Sequence, residues 1–387
     1  MWFFGCPTVV FGDDALEYLR EIRGERALIL TDPNILALGY VEQVTDQLDK
    51  AGLQHRVFAE VESDPSLQTV QAGARVARQY RPDWLIALGG GSVIDAAKGV
   101  WVLYARPDIR PDAISPTEVL NLRGTARLIA IPTTSGTGAE VTWAIVLTDV
   151  EEKRKLALGS RETMPDVAIL DPSFVMELPP QITGDTGMDA LAHAIEGYAS
   201  TWRSDFSNAP ALRAVRLVFR YLQKAYLDGS DQEARTGMMH AATLASMCFG
   251  NAMAGLAHSM AHALGALFHL PHGRAVGLCL PYTMEFLADT EAQKYADIGR
   301  SAGMVEGSAS QITETLIEEI RSLARSVGQP LSIREAGIEP GHFEEALPAL
   351  VERAENEVTT VTVTRIPDGA ELERLFRCAF EGKTVDF

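Results

Sequence analysis

Short apolar runs alternate with helical spacing through the first half of the chain. Residues 26–31 (RALILT) form an apolar run ending at Asp32, Pro33 and Asn34, a turn and helix-cap signal. Apolar positions at helical spacing follow over 36–52. Residues 55–60 (HRVFAE) predict a second strand and 67–80 a second helix. Residues 83–92 (DWLIALGGGS) predict a third strand running into a glycine loop, and 93–104 a third helix. Residues 126–138 (ARLIAIPTTSGTG) predict a fourth strand that again ends in a Gly/Thr loop. TWAIVLTD and DVAILDP predict further strands, the last ending at Asp171-Pro172. This β-α-β-α order predicts an α/β domain on a mainly parallel sheet covered by helices.

From about Gly184 the pattern changes. β-branched runs become scarce and helical periodicity dominates, with breaks expected at Pro210, Gly229, Pro271, Gly303 and Gly328. The boundary is placed after Leu178-Pro179-Pro180, giving an α/β domain over 1–180 and an all-α domain over 181–387. A length of 387 residues agrees with two domains.

Charge narrows the partners. The 34 Lys and Arg against 52 Asp and Glu leave a net charge of −18, which disfavours nucleic acid or an anionic membrane. An anionic ligand must then be held by a local device, such as backbone amides or one placed cation. Cys6, Cys248, Cys279 and Cys378 lie far apart with no CxxC, against a cysteine-based zinc site or a disulfide framework, so a cytoplasmic setting is expected. The N-terminus lacks the basic segment of a signal peptide. Residues 236–273 contain no Asp, Glu, Lys or Arg, but glycines, Pro271 and several polar residues break the run. It reads as buried helices of a soluble domain, not as a membrane span.

Gly89-Gly90-Gly91-Ser92 follows an apolar strand and opens a helix. Consecutive amides at a helix N-terminus make a diphosphate cradle, although GGGS alone reads equally as a tight turn. The GxGxxG fingerprint is absent, and the acid it would place after the loop is found before it, as Asp32 at the end of the first strand. Strand ends of one sense share an edge in a parallel sheet, so Asp32 can reach a ribose hydroxyl; it can also simply cap a helix. The hydroxyls of 132–138 (PTTSGTG) are placed to bond ribose, phosphate or carboxamide.

Five of the eight histidines fall in two short segments: His193, His258, His262, His269 and His272. Asp189 and His193 stand at i and i+4, as do His258 and His262. One carboxylate with several imidazoles suits Fe²⁺, Zn²⁺, Co²⁺ or Ni²⁺ rather than Ca²⁺ or Mg²⁺. Spacing leaves open which of His258 and His262 is the ligand.

GGGSVIDAAK, PTTSGTGAEVT, GMDALAHAIEGY and GLAHSMAHALGALFHLPHG together resemble the iron-containing (group III) alcohol dehydrogenases, the family of lactaldehyde reductase and 1,3-propanediol dehydrogenase. The resemblance runs from about Pro7 to Ser326. It implies a dehydroquinate synthase-like two-domain fold with an NAD-binding domain, a helical metal-binding domain and an active site in the cleft between them. It implies NAD and Fe²⁺ as cofactors, metal ligands at Asp189, His193, His258 and His272, and His262 as a non-ligand on the proton path. It places the pyrophosphate loop on Gly90, Gly91 and Ser92. Thr133, Thr134, Thr137 and Thr142 fall on the second cofactor loop, Lys155 on its cationic contact, and Asp32 on the acid favouring NAD over NADP. The chain departs from the family where relatives carry Asn-Pro-Arg: here Asn356 is followed by Glu-Val-Thr. Ala144 stands where some relatives have a polar pocket residue, and bulky Trp143 precedes it. The expected reaction is NAD(H)-dependent interconversion of a primary alcohol and its aldehyde by a homo-oligomer. The alternatives are a glycerol or glycerol-1-phosphate dehydrogenase, a dehydroquinate synthase-like lyase, and a non-catalytic metal-binding regulator. A lyase of phosphorylated substrates would need cations near the metal, which residues 236–273 lack.

Overall fold

The computed structural model describes residues 3–152 and 154–387. The chain divides into two compact units, Gly5–Met176 and Glu177–Phe387, the second also taking residues 3–4.

The first unit contains β1 (Thr8–Phe11), β2 (Arg26–Leu30), α1 (Pro33–Ala37), α2 (Tyr40–Lys50), β3 (Gln54–Phe58) and α3 (Leu67–Tyr80). It continues with β4 (Trp84–Gly89), α4 (Gly91–Ala105), β5 (Arg127–Pro132), β6 (Ala144–Asp149), β7 (Arg154–Gly159) and β8 (Val167–Leu170). Six strands form one sheet in the order β1-β8-β5-β4-β2-β3, every pair parallel. The period-2 alternation of each strand splits the core between two faces. Ala27, Ile29, Ile86, Leu88, Ile129 and Ile131 pack with Val41, Val44 and Leu48 of α2. Leu28, Leu30, Leu85, Ala87, Leu128 and Ala130 pack with α3 and α4.

From β2 the chain moves outward to β3; from β4 it moves the other way to β5. Neighbouring strands β2 and β4 therefore flank a topological switch point, where open parallel sheets bind ligands beyond their carboxyl ends. Asp32 follows β2 and Gly90 follows β4 at this point.

Several sequence expectations are corrected. The 36–52 helix is split by Gly39, which sits in the left-handed region at φ 75° and separates α1 from α2. TWAIVLTD does not join the sheet. It forms β6, which pairs antiparallel with β7, a strand the sequence pattern did not reveal because half of its residues are exposed and its buried positions do not alternate regularly. β1, a short edge strand, was also missed.

The second unit is helical among its described residues. It comprises α5 (Pro180–Ala199), α6 (Asp205–Leu227), α7 (Gln232–Ala252), α8 (Leu256–Phe268), α9 (His272–Ala302), α10 (Ala309–Ser326), α11 (Pro340–Glu355) and α12 (Gly369–Glu381). α5 is its axis, buried along nearly its whole length against α6, α7 and α9. Small residues allow this: a Cβ on Gly187 would meet Leu222 at 2.1 Å, and one on Gly273 would meet the Asp185 carbonyl oxygen at 2.2 Å. Pro210 does not break a helix; it lies inside α6, near its start. There the ring removes only one early backbone bond, and the burial of Ala211, Ala214 and Val215 holds the helix together. No helix among the described residues is long and apolar enough to cross a membrane.

Candidate metal centre and cofactor edge

At the sheet edge, Gly90 precedes α4 and Gly91 opens it, so the free amides of the first turn face the switch point. The second loop is bonded directly to this strand end: the Thr133 amide donates to the Gly89 carbonyl at 3.1 Å. The two loops are packed so closely that a Cβ on Gly91 would lie 2.8 Å from the Thr137 Oγ1, and one on Gly90 3.2 Å from the Thr134 methyl. Gly138 turns the second loop at φ 55°.

Asp32 is the N-cap of α1, and its Oδ1 accepts from the amides of Asn34 (2.8 Å) and Ile35 (3.1 Å). The cap occupies one carboxylate oxygen. Ser92 Oγ accepts from the Asp64 amide at 3.4 Å, and the Asp64 carboxylate pairs with Lys155 Nζ at 2.7 Å. Asp64 was not foreseen; its left-handed φ of 55° has no apolar pattern to announce it. Thr133 and Thr142 are buried, and the Thr142 hydroxyl accepts from Lys98 at 3.4 Å. Lys98 is wholly buried, pairs with Asp95 at 3.4 Å and donates to the Ala144 carbonyl at 2.8 Å. The Asp95 carboxylate accepts from the Val146 amide at 2.9 Å. This pair, also missed from the sequence, ties α4 to the segment after the second loop.

In the helical unit, Asp189, His193 and Glu196 stand at i, i+4 and i+7 on one face of α5. α8 brings His258 and the first residue of α9 brings His272. One ligand atom from each of Asp189, His258 and His272 lies within 4.8 Å of the others. Asp189 Oδ1 is 3.6 Å from His258 Nε2 and 3.5 Å from His272 Nε2. His193 Nε2 stands a little further off, 3.9 Å from Asp189 Oδ1, with its ring stacked on Phe249 and His258. His269 does not join the group; it terminates α8 in a left-handed conformation and is exposed.

Two residues to which the sequence assigned no role complete the cluster. Glu196 accepts from the Ala257 amide at 2.6 Å and bonds His258 Nδ1. Its signal was its helical phase, two turns beyond Asp189. Glu357, in the segment departing from the family pattern, places Oε2 3.3 Å from His262 Nδ1. Nothing local marks it, because the pairing joins α8 to the chain just after α11. His262 also stacks on His272, with centroids 5.3 Å apart.

The charges are strongly coupled. Burial opposes a charge on His258, but Glu196 and Asp189 outweigh it and lift its pKa to about 10. Burial likewise opposes the Asp189 carboxylate, yet His193, His272 and His258 hold it below the usual range. His272 is pushed down to about 3, first by lost solvation and then by the neighbouring imidazoles, against the pull of Asp189. Glu357 is held low because His262 overcomes its burial.

A divalent ion fits these residues. Asp189 Oδ1 and His258 Nε2 are buried, and neither has a hydrogen-bond partner. Leaving such atoms unmet costs about 1–3 kcal/mol each. A cation held by one carboxylate and neutral imidazoles satisfies both.

Residues 6–172 match the family model described as iron-containing alcohol dehydrogenase. Residues 183–380 match the one described as Fe-containing alcohol dehydrogenase family, C-terminal. The chain belongs to the iron-containing alcohol dehydrogenase family. It is 38% identical to an NADPH-dependent butanol dehydrogenase of Clostridium saccharobutylicum, over the full length of both chains. It is 36% identical to a lactaldehyde reductase of Escherichia coli (strain K12), over 91% of this chain and 92% of that protein. A solved structure of 1,3-propanediol oxidoreductase superposes with a TM-score of 0.92 at 32% identity, covering 98% of this chain and 100% of that one. As an iron-containing alcohol dehydrogenase, the protein is a metal-dependent oxidoreductase of alcohols and aldehydes that uses a nicotinamide cofactor.

Proposed function

We propose that the protein is an NAD(H)-preferring, Fe²⁺-dependent dehydrogenase of a primary alcohol and its aldehyde, with Asp189, His193, His258 and His272 holding the metal. The observation that carries this is that one ligand atom each of Asp189, His258 and His272 converge within 4.8 Å of one another, with Asp189 Oδ1 buried and without a hydrogen-bond partner. Zn²⁺, Co²⁺ and Ni²⁺ suit the same nitrogen and oxygen donors.

When bound, the metal supplies Lewis acidity toward the substrate oxygen, and the nicotinamide ring supplies or accepts the hydride. The chain's own residues do the rest. Asp189 provides the one negative charge among the ligands, and burial keeps water from weakening it. His262 carries the substrate proton: Glu357 accepts a hydrogen bond from Nδ1, leaving Nε2 free to take a proton in oxidation and return it in reduction. Gly90, Gly91 and Ser92 offer amides to the diphosphate, and Thr133, Thr134, Thr137 and Thr142 shape the second loop. Lys155 lends the edge a cation that Asp64 keeps in place. The remaining oxygen of Asp32 is available to ribose hydroxyls and repels a 2′-phosphate. The absence of cationic side chains in residues 236–273 favours an uncharged substrate over a phosphorylated one.

A homo-oligomer in the cytoplasm is the expected form. The strand β1 lies at the edge of the sheet, where a second copy can approach. The described cysteines are all free, as a reducing compartment favours. The test is turnover of a panel of primary alcohols and aldehydes by chelator-stripped protein reloaded with single metals, using NAD(H) and NADP(H) in parallel. Fe²⁺ should restore the activity best, and NAD(H) should support it. Equal activity without metal, or exclusive use of NADP(H), contradicts this reading.

A further inference from the structure

We propose that Glu196 is a positioning residue for the metal: it fixes the proton of His258 on Nδ1 and thereby presents Nε2 as a ligand. This rests on the metal reading above.

The imidazole of His258 has two distinct nitrogens. Nε2 faces Asp189 Oδ1 at 3.6 Å, and Nδ1 faces the Glu196 carboxylate. A neutral imidazole carries one proton, and the nitrogen that keeps it cannot ligate. A carboxylate only accepts, so its contact with Nδ1 holds the proton there and leaves the Nε2 lone pair directed toward Asp189 and His272. Partners of this kind orient ligating histidines and make them more basic.

The chain is built to hold this carboxylate in place. Glu196 lies on α5, the helix that carries Asp189 and His193, and it is buried. Its other oxygen accepts the Ala257 amide at 2.6 Å, tying it to the first turn of α8 just before His258. Gly255 leaves the space: a Cβ there would sit 2.9 Å from the Glu196 Oε1. One side chain thus locks the helix that brings His258 to the helix that brings Asp189.

Glu196→Gln separates the two tasks. An amide oxygen can still accept from Ala257, so the α8 contact survives. The NH₂ group then faces Nδ1, which must accept, and the proton moves to Nε2, where it competes with the metal. The experiment measures Zn²⁺ and Co²⁺ affinity of the full chain by chelator competition, with the Tm and helical circular dichroism of the metal-free protein. The expected result is a ~10–100-fold loss of metal affinity in Glu196→Gln with fold and metal-free Tm preserved. Glu196→Asp, which keeps a carboxylate, should recover part of that loss. Should the Gln variant fail to fold, the Asp variant carries the test and must bind metal more weakly than wild type. Wild-type affinity in the folded Gln variant overturns the role of Glu196 and leaves the metal site standing. Equal losses in folded Gln and Asp variants overturn it too, since the carboxylate would then not matter. A wild-type protein that binds no metal overturns the metal reading and this inference together.

Discussion

Asp32 concentrates two demands on one carboxylate. Its Oδ1 caps α1 through Asn34 and Ile35, and the other oxygen is the one proposed to meet the ribose. Replacing a ribose hydroxyl by phosphate brings about −1.5 to −2 charges toward it. A unit pair at about 4 Å and an effective dielectric of ~20 is worth about 4 kcal/mol before screening. Asp32→Gly should therefore raise kcat/KM with NADPH relative to NADH by about tenfold or more. Glycine costs a cap only a few tenths of a kcal/mol relative to Asp, so the fold should survive. An unchanged cofactor ratio would show that Asp32 does nothing but cap the helix. His262 allows a similar separation. His262→Ala should keep its metal but lower kcat by about 10²–10⁴-fold, the usual contribution of a positioned acid–base group. Metal loss matching that of His258→Ala would make His262 a ligand instead.

At the scale of elements, two close approaches decide whether the sites form. α5 and α9 meet at Gly273, so near that a Cβ would overlap the Asp185 carbonyl oxygen. Arg274 and Gln329 also converge on the Asp185 carboxylate and fasten this contact. Gly273→Ala must push the helices apart and move His272 away from Asp189. A destabilisation of about 1–3 kcal/mol is expected from overpacking, accompanied by weaker metal binding. Denaturant melts and metal titration of the same variant check both; a variant with unchanged metal affinity would show that His272 tolerates the shift. In the sheet unit, Lys98 bridges α4 and the start of β6. Lys98→Met leaves Asp95 buried without its cation, which should cost about 3–5 kcal/mol. Chemical denaturation measures this, and wild-type stability would mean that Asp95 simply takes up a proton. The strand-helix order and both glycine loops could be read from the sequence because local periodicity and turn chemistry encode them. Gly39, β7 and Pro210 escaped that reading: Gly39 breaks the helix through a left-handed conformation, β7 is half exposed, and Pro210 is tolerated because the residues that follow it are buried. The four proposed metal ligands stood out because they lie in dense, charge-poor motifs. Glu196 and Glu357 did not, because a glutamate reveals its partner only when distant segments meet.

Across the whole molecule, the residues proposed for the cofactor and those proposed for the metal fall in different units. The amides at the end of β4 and the loop after β5 belong to Gly5–Met176, whereas every proposed metal ligand belongs to Glu177–Phe387. The family match spans both, so the complete reaction class follows from the chain as one piece. The separation also means that damage to one half can be seen without the other. The most direct test is to measure metal content and NADH binding together in wild type, Asp189→Ala and His272→Ala. Stoichiometric divalent metal is expected in the wild type, with its loss in both variants and an NADH dissociation constant that stays the same throughout. Full metal content in either variant, or none in the wild type, would contradict the metal assignment.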